Sequence, residues 1–489
     1  MKKLVLIIVI ILNFFSALAQ NSTNNFFNEK DSIQITGKII GYHPSQEEHF
    51  ITFSTTDIFG KASNQSIQIE DNGDFWIKLY QPFDGDIQLN YKNVFLKLFT
   101  KHNMPLIIEI DNDKIDAKED LENSFLFKGQ LATENNLILK FNTAYDKQNF
   151  PSTDFDKNLS DSMFAEKCKN NLNQKLQFLQ LFIEKNKISN QTFMLWQENE
   201  LKYSAAKEIV FFPFLGKLNK QISQEKLLDL IKPVAINNPN AFSNSSYYDF
   251  LNTLNTSQQI IFNVNPLYEK NKQEVGGNTL NLVLDLIDNY ANGLTKEVLY
   301  YQNANSKASS NYQVRFEKAI KNSFLRRIIL EDQNANRNKF NSYDIVERLK
   351  ALKANHNIKQ RLISLFEGYK GTNLYIDFWG DWCGPCMNEL PSYPKLIAAL
   401  DGKPIKFLFF SVFTTEESML AIKEKFKIKG DFVNLSKDEV AIVNNAFQFH
   451  SYPSHFMVNG KSKVTSKMSK ISASNMSKKV EEITRLFAK

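Results

Sequence analysis

Residues 376–386 read Ile-Asp-Phe-Trp-Gly-Asp-Trp-Cys-Gly-Pro-Cys, an apolar strand running directly into a Cys-x-x-Cys pair. At this spacing Cys383 and Cys386 can close a disulfide within one turn at the start of a helix. Backbone amides there favour a thiolate, and the first sulfur is expected at the exposed edge, open to attack. Zinc sites also use C-x-x-C, so the pair alone is a weak signal. Here no second pair exists to complete a metal site, and the lead-in strand is apolar. The pattern reads as a redox dithiol, with no metal and no cofactor.

These residues resemble the active site of the thioredoxin superfamily, and in particular of TlpA-like and ResA-like exported thiol–disulfide oxidoreductases. In that family the same strand carries a buried acid, here Asp377, ahead of the first cysteine. Glu389 and Pro391 follow in Cys-Met-Asn-Glu-Leu-Pro, similar to the family's C-x-x-E-x-P run. Downstream, Tyr452-Pro453-Ser454 and Phe456-Met457-Val458 resemble the family's cis-proline and the strand after it. Asn459-Gly460 then supplies a hairpin turn, since both residues tolerate the positive φ such turns need. The stretch between Cys386 and Pro453 is longer than in plain thioredoxin, as in the TlpA-like branch. One feature departs from the pattern. The family's Asp-x-x-Gly hairpin before the active-site strand is missing, and residues 350–372 offer only Gly368-Tyr369-Lys370-Gly371 after a helix-like Arg361–Phe366. That hairpin is expected to be shortened or replaced.

The resemblance implies a role for each residue. Disulfide exchange needs an attacking thiolate and a second thiol that resolves the mixed disulfide. Cys383 is assigned the attack and Cys386 the resolution. An acid inside an apolar strand is costly unless it is used or paired, so Asp377 is read as the acceptor of the Cys386 proton. Pro453 would present backbone to an incoming peptide, with Trp382, Gly384, Pro385 and Tyr452 as substrate contacts. Core packing explains Trp379 as well as substrate contact does, and Glu389 fits a surface role as well as a catalytic one. His455 stands where relatives have an apolar residue. It reads as a hydrogen-bonded core histidine, with a pH-sensitive contribution to the site as the other possibility. His450 and His455 do not converge as a metal pair across Pro453. The intervening Gly384-Pro385 matches thioredoxin itself and argues for a reductant.

The remaining chain sets the context. Its 489 residues suggest about three domains on ordinary domain sizes. Residues 1–19 have Lys2-Lys3, an apolar run and Ala17-Leu18-Ala19, the pattern of a signal peptide cleaved near Ala19. No later segment is long and apolar enough to span a bilayer, so a periplasmic protein with no transmembrane segment after cleavage is expected. Three cysteines in an exported chain of this length are too few for a disulfide-stapled scaffold. Cys168 falls in a helical stripe with Phe164, Leu172, Leu176, Leu179 and Ile183 and reads as a core residue. The formal charge of +6 falls to +4 once Lys2 and Lys3 are removed, and the basic residues are scattered lysines. Nothing here points to nucleic acid.

From 31 to 130 apolar and polar residues alternate, as in Ile33/Ile35, Ile51/Phe53 and Phe75/Ile77/Leu79, with Asp71-Asn72-Gly73-Asp74 as a hairpin loop. An antiparallel β-sandwich-like N-terminal domain is expected. It resembles the β-module of many exported TlpA-like proteins, down to Gly-Gln-Leu-Ala-Thr-Glu-Asn-Asn at 129–136. Residues 131–350 have helical periodicity and no catalytic spacing, the pattern of a spacer, a dimerisation surface or a client platform. Residues 351–489 are expected, from the resemblance, to form an α/β thioredoxin-like C-terminal domain. Its expected elements are strands Leu374–Trp379, Ile405–Val412 and Ser454–Val458, a helix over 385–400 kinked near Pro391, and helices Ser418–Phe426 and Asn475–Phe487.

The resemblance therefore implies an exported thiol–disulfide oxidoreductase, expected to reduce protein disulfides in the cell envelope with electrons from a membrane donor. A second reading is an adaptor, in which the first 350 residues bind an envelope partner and the dithiol only regulates that contact. A peroxidase lacks its Thr-x-x-Cys turn here. Expressed in a bacterial host, the mature chain should begin at Gln20 in the soluble periplasmic fraction. N-terminal sequencing that finds Met1 in washed membranes would overturn the export reading.

Overall fold

The computed structural model describes residues 26–27, 32–44, 50–92, 94–116, 121–151, 161–211, 224–232, 234–264, 269–274, 279–304, 313–335, 342–352, 356–449, 452–469, 471 and 475–487. Residues 1–19, read from the sequence as a signal peptide, and His450 lie outside these. The chain divides into two compact units. One holds residues 1–42, 53–62 and 71–337; the other holds 43–52, 63–70 and 338–489.

Eight strands, most of whose residues lie in the first unit, form two four-stranded sheets. Strands β1 (Ile33–Ile40), β4 (Asp74–Leu79), β7 (Leu106–Asp111) and β8 (Phe125–Gly129) make one sheet in the order β4-β1-β7-β8. Strands β2 (Phe50–Thr56), β3 (Ala62–Gln68), β5 (Gly85–Tyr91) and β6 (Val94–Thr100) make the other, β3-β2-β5-β6; β2 and β3 each run partly into segments of the second unit. The sheets are not wholly antiparallel, because β1 pairs parallel to β7 with Ile35 opposite Leu106. Alternation of apolar residues sets which face each strand buries but is silent on the direction of its neighbour.

Helices follow, among them Ala132–Asp146, Asp161–Lys185, Gln191–Phe211 and Ser245–Val264. Most of the two sheets and the helices belong to one unit, so the expected boundary near residue 130 does not separate two compact bodies. Buried polar groups tie them together. Asp86 on β5 accepts from the Ser245 amide at 2.7 Å, Lys97 on β6 meets Glu200 at 2.6 Å, and Asn135 bonds both backbone groups of Phe99. Breaking any of these would strand a buried polar group, which costs more than the bond itself contributes. Cys168 is buried in the Asp161–Lys185 helix with Phe164 and Leu172, and burial pushes its thiol up to about 12. A thiol so placed is inert at neutral pH. Among the described residues no helix is long and apolar enough to cross a membrane.

The second unit is built on a six-stranded sheet. Its strands are β9 (Tyr343–Asp344), β10 (Asn373–Trp379), β11 (Ile405–Val412), β12 (Asp431–Leu435), β13 (Ser454–Val458) and β14 (Lys463–Met468), in the order β12-β11-β10-β13-β14-β9. Strands β10, β11 and β12 are mutually parallel, whereas β13 runs antiparallel to both β10 and β14. Parallel central strands are covered on both faces, which is why β10 and β11 are continuously apolar. The period of two divides β10 between two cores. Leu374, Ile376 and Phe378 enter one, with Leu408, Phe410 and Phe447; Tyr375 and Trp379 enter the other, with Cys383, Cys386 and Tyr393.

Strands β10, β11 and β13 fall where the sequence pattern puts them, and the 385–400 helix is interrupted as Pro391 requires. Helix Gly384–Glu389 gives way to a 3-10 turn, Leu390–Ser392, and then to helix Tyr393–Ala399. Proline has no N–H to continue the ladder. In place of the family's lead-in hairpin stand helices Ile345–Ala351 and His356–Gly368, with the two-residue β9 at the sheet edge. A strand that short presents little free edge for aberrant pairing.

Phe378 stacks on Phe410 at 5.0 Å and meets Phe449 at 4.5 Å between ring centres, on the face of β10 away from the cysteines. Phe378→Ala should cost about 3–5 kcal/mol, the usual range for a buried Phe truncation. Hydrogen exchange of β10 and β11 amides in the full chain measures it. Unchanged protection would show that this core does not hold the sheet.

Candidate active site

The end of β10 delivers the chain into a tight loop, Gly380–Trp382, and then into the Gly384–Glu389 helix. Cys383 is the residue capping that helix, its Sγ accepting from the Cys386 amide at 3.2 Å. The two cysteines form a disulfide with their Cα atoms 5.2 Å apart. Cys383 does not sit at an exposed edge. It is only 4% accessible and Cys386 2%, because both pack into the apolar cluster of Trp379, Leu390 and Met457. Gly384 and Pro385 between them are exposed, and the space in front of Gly384 is open.

Side chains absent from the sequence reading pin the loop. The Asp381 carboxylate accepts from Ser418 Oγ at 2.6 Å, and its amide donates to Thr414 Oγ1 at 3.1 Å. Trp382 folds back so that Nε1 donates to the Val412 carbonyl at 3.0 Å. A Cβ on Gly380 would lie 2.4 Å from that same Nε1, so only glycine leaves room for the indole. Trp382 nevertheless remains 54% exposed and Phe413 55%, with Tyr452 edge-on to Trp382 at 5.6 Å. Together they form an aromatic rim beside the disulfide. Trp379, by contrast, is fully buried and belongs to the core.

The Tyr452–Pro453 peptide is cis, and Pro453 is buried at the start of β13. Strand register then sets Asp377 directly opposite His455. His455 Nε2 lies 3.2 Å from Asp377 Oδ1 and 3.0 Å from Glu389 Oε2, and all three side chains are buried. Tyr393 donates to the other Asp377 oxygen at 2.8 Å, and the Tyr375 ring lies over the imidazole at 5.9 Å. The contacts to Nε2 are at ion-pair distance without hydrogen-bond alignment: Nε2, Asp377 Oδ1 and both Glu389 oxygens have no aligned partner among the described residues. Burial alone would drive protons off His455, but Asp377 and then Glu389 outweigh it and raise its pKa to about 9. Glu389 is therefore an interior residue, not a surface one. Its signal was its position one helical turn after Cys386, on the same inward face. His455 stood out in the sequence for its place two residues past Pro453, but only the β10–β13 register shows that it pairs with Asp377. Among the described residues no set of three or more His, Cys, Asp or Glu side chains is arranged to hold a metal ion.

A parallel β-α-β core, an antiparallel pair after a cis-proline and a Cys-x-x-Cys capping the first helix define a thioredoxin-like domain. In comparison with known proteins, part of the chain is similar to thiol–disulfide oxidoreductases. The ResA enzyme of Geobacillus thermodenitrificans is 28% identical over 96 residues, covering 20% of this chain and 53% of that protein. Sporulation thiol-disulfide oxidoreductase A of Bacillus subtilis is 21% identical over 95 residues, covering 19% of this chain and 58% of that protein. The chain thus spans about half the length of the curated relatives it matches. A crystal structure of the thioredoxin domain of a Bacteroides vulgatus thiol-disulfide oxidoreductase is 25% identical, with a TM-score of 0.22 over 24% of this chain and 82% of its own. No family model matches the chain.

His455 carries its charge in the fold to a higher pH than a free imidazole. The stability this contributes is complete below pH about 6.5 and is lost as pH rises through about 9. Chemical denaturation of the full chain should show the second unit weakening by on the order of 2–3 kcal/mol over that window. His455→Gln should flatten the dependence. An equal slope in the variant would remove His455 as its source.

Proposed function

We propose that the protein is an exported thiol–disulfide oxidoreductase of the periplasm that reduces protein disulfides through Cys383 and Cys386. The observation that carries this reading is the Cys383–Cys386 disulfide at the start of a helix, beside the cis Tyr452–Pro453 peptide and under an exposed aromatic rim. Similarity to named thiol–disulfide oxidoreductases over a fifth of the chain supports the same chemistry.

The reaction starts from the dithiol. Cys383 Sγ, as thiolate, attacks one sulfur of a client disulfide; that S–S bond breaks and the first client thiolate leaves. The Cys386 thiol then loses its proton to Asp377, and its thiolate attacks Cys383 Sγ. The bond between Cys383 and the client breaks, and the second client thiolate departs. The client gains two electrons and the Cys383–Cys386 disulfide is restored. Pro453 and Tyr452 present backbone and ring to the client chain, with Trp382, Gly384 and Pro385 completing the contact surface. Regenerating the dithiol requires an external thiol donor, which the proposal places in the membrane.

The burial of Cys383 in the oxidised form bears on the order of events. Both sulfurs are buried while Gly384 and Pro385 beside them are exposed, so a donor is expected to be selected by how it docks on the surface around the pair. Expressed in its native host, Cys386→Ala should accumulate envelope proteins covalently held on Cys383 and released by dithiothreitol. Equilibration of the full chain with glutathione and dithiothreitol should give a potential nearer thioredoxin's about −270 mV than the oxidant DsbA's about −120 mV. A value near the latter would make the protein a disulfide donor. No trapped client, with partner binding intact in a Cys383→Ser, Cys386→Ser variant, would favour the adaptor.

A further inference from the structure

The second unit buries more charge behind its disulfide than a dithiol and one acid require. Asp377 from β10, His455 from β13 and Glu389 from the dithiol helix converge on a single nitrogen, Nε2. Tyr375 and Tyr393 close the cluster, and the next charged groups are Lys479 and Glu482 of the C-terminal helix Met476–Phe487. Lys479 is occupied elsewhere, with Nζ donating to the Ser469 carbonyl at 2.7 Å and meeting Glu482 at 3.2 Å. His455 is therefore the cation that faces both carboxylates.

The geometry contains a competition. A protonated imidazole has one hydrogen on Nε2, and two carboxylate oxygens lie 3.2 and 3.0 Å from that atom. One hydrogen cannot point at both, in keeping with the lack of alignment of either contact. A proton arriving on Asp377 removes the competition: Nε2–H turns wholly to Glu389, and Asp377 keeps its bond from Tyr393. The cluster can thus take up one proton without leaving a buried charge unpaired. Removal of the imidazole reverses this, because two buried carboxylates facing each other hold a proton between them, and Asp377 is then occupied before Cys386 needs it.

We propose that His455 is a positioning residue for the resolving half of the reaction, a buried cation that keeps Asp377 free to accept the Cys386 proton and then passes its own hydrogen bond to Glu389. The proposal rests on Asp377 being the acceptor, and it predicts two independent signatures. In the oxidised full chain, the ring nitrogens of His455, assigned by difference from His455→Gln, should stay protonated past pH 8 in a 15N NMR titration. Asp377→Asn and Glu389→Gln should each lower its proton affinity at least tenfold. The second signature is kinetic. Reaction of the reduced chain with Ellman's disulfide places thionitrobenzoate on Cys383, and release of its second equivalent reads the Cys386 attack. In His455→Leu that release should slow at least tenfold at pH 7 relative to the initial attack, with its pH profile moved to higher pH and partly restored in His455→Gln.

The wild-type titration decides even if the leucine variant fails to fold. A His455 that loses its proton near pH 6.5 regardless of Asp377 and Glu389 overturns the proposal. So does a wild-type release profile in a folded His455 variant when Asp377→Asn slows release, because Asp377 then acts alone. Release unaffected by Asp377→Asn overturns the acceptor role itself, and the proposal with it.

Discussion

Strand β10 is buried on both faces, and most of the site follows from that constraint. Its alternation gives Ile376 and Phe378 to one core and Tyr375, Asp377 and Trp379 to the other, so a carboxylate is placed where the neighbours are apolar rings. A buried acid must be compensated locally or stay protonated. Compensation here comes from two other elements, the Tyr393 hydroxyl from the second half of the broken helix and His455 from the antiparallel neighbour, whose imidazole Glu389 also claims. Apolar side chains of equal volume would stabilise such an interior at least as well. His455, whose pKa Asp377 and Glu389 raise, is a perturbed buried group of the kind found at functional sites.

The loop between β10 and the dithiol helix obeys a second constraint, that of precise aim. Gly380 leaves room for the Trp382 indole, the indole bonds the end of β11, and Asp381 is held by Thr414 and Ser418. These contacts fix Cys383 as the helix cap while leaving aromatic surface outside. Phe413 extends that surface with a positive φ, a backbone state few non-glycine residues adopt, so its exposure reflects a constrained loop and not a loose one. The disulfide is thus sheltered beneath an exposed aromatic rim.

Burial also sorts the three cysteines. Cys168 lies within a helix in an apolar stripe, its thiol held protonated by desolvation. Cys383 and Cys386 are as inaccessible, yet they lie at a helix start with open space before Gly384. Sulfur accessibility alone therefore does not distinguish the disulfide pair from Cys168; what differs is the helix start and the open space beside the pair. In the first unit buried charge has a different use. Asp86, Lys97 and Glu200 join strands to helices, which makes one body of two differently patterned stretches of sequence.

What the sequence by itself determined was local. Largely apolar runs marked β10 and β11 as central strands, the Cys-x-x-Cys spacing marked the dithiol, and Pro391 marked the break in the following helix, because each depends on neighbours within a turn or a few residues. Period-two alternation likewise marked the strands of the first unit but could not say that β1 and β7 run parallel, since side-chain faces are the same in either direction. Tertiary structure decided the rest. The burial of Cys383, the inward turn of Glu389 and the pairing of His455 with Asp377 all depend on how separate elements pack and on the register between β10 and β13. A one-residue slip in that register would turn His455 to the opposite face, and no composition or spacing in either strand encodes the choice.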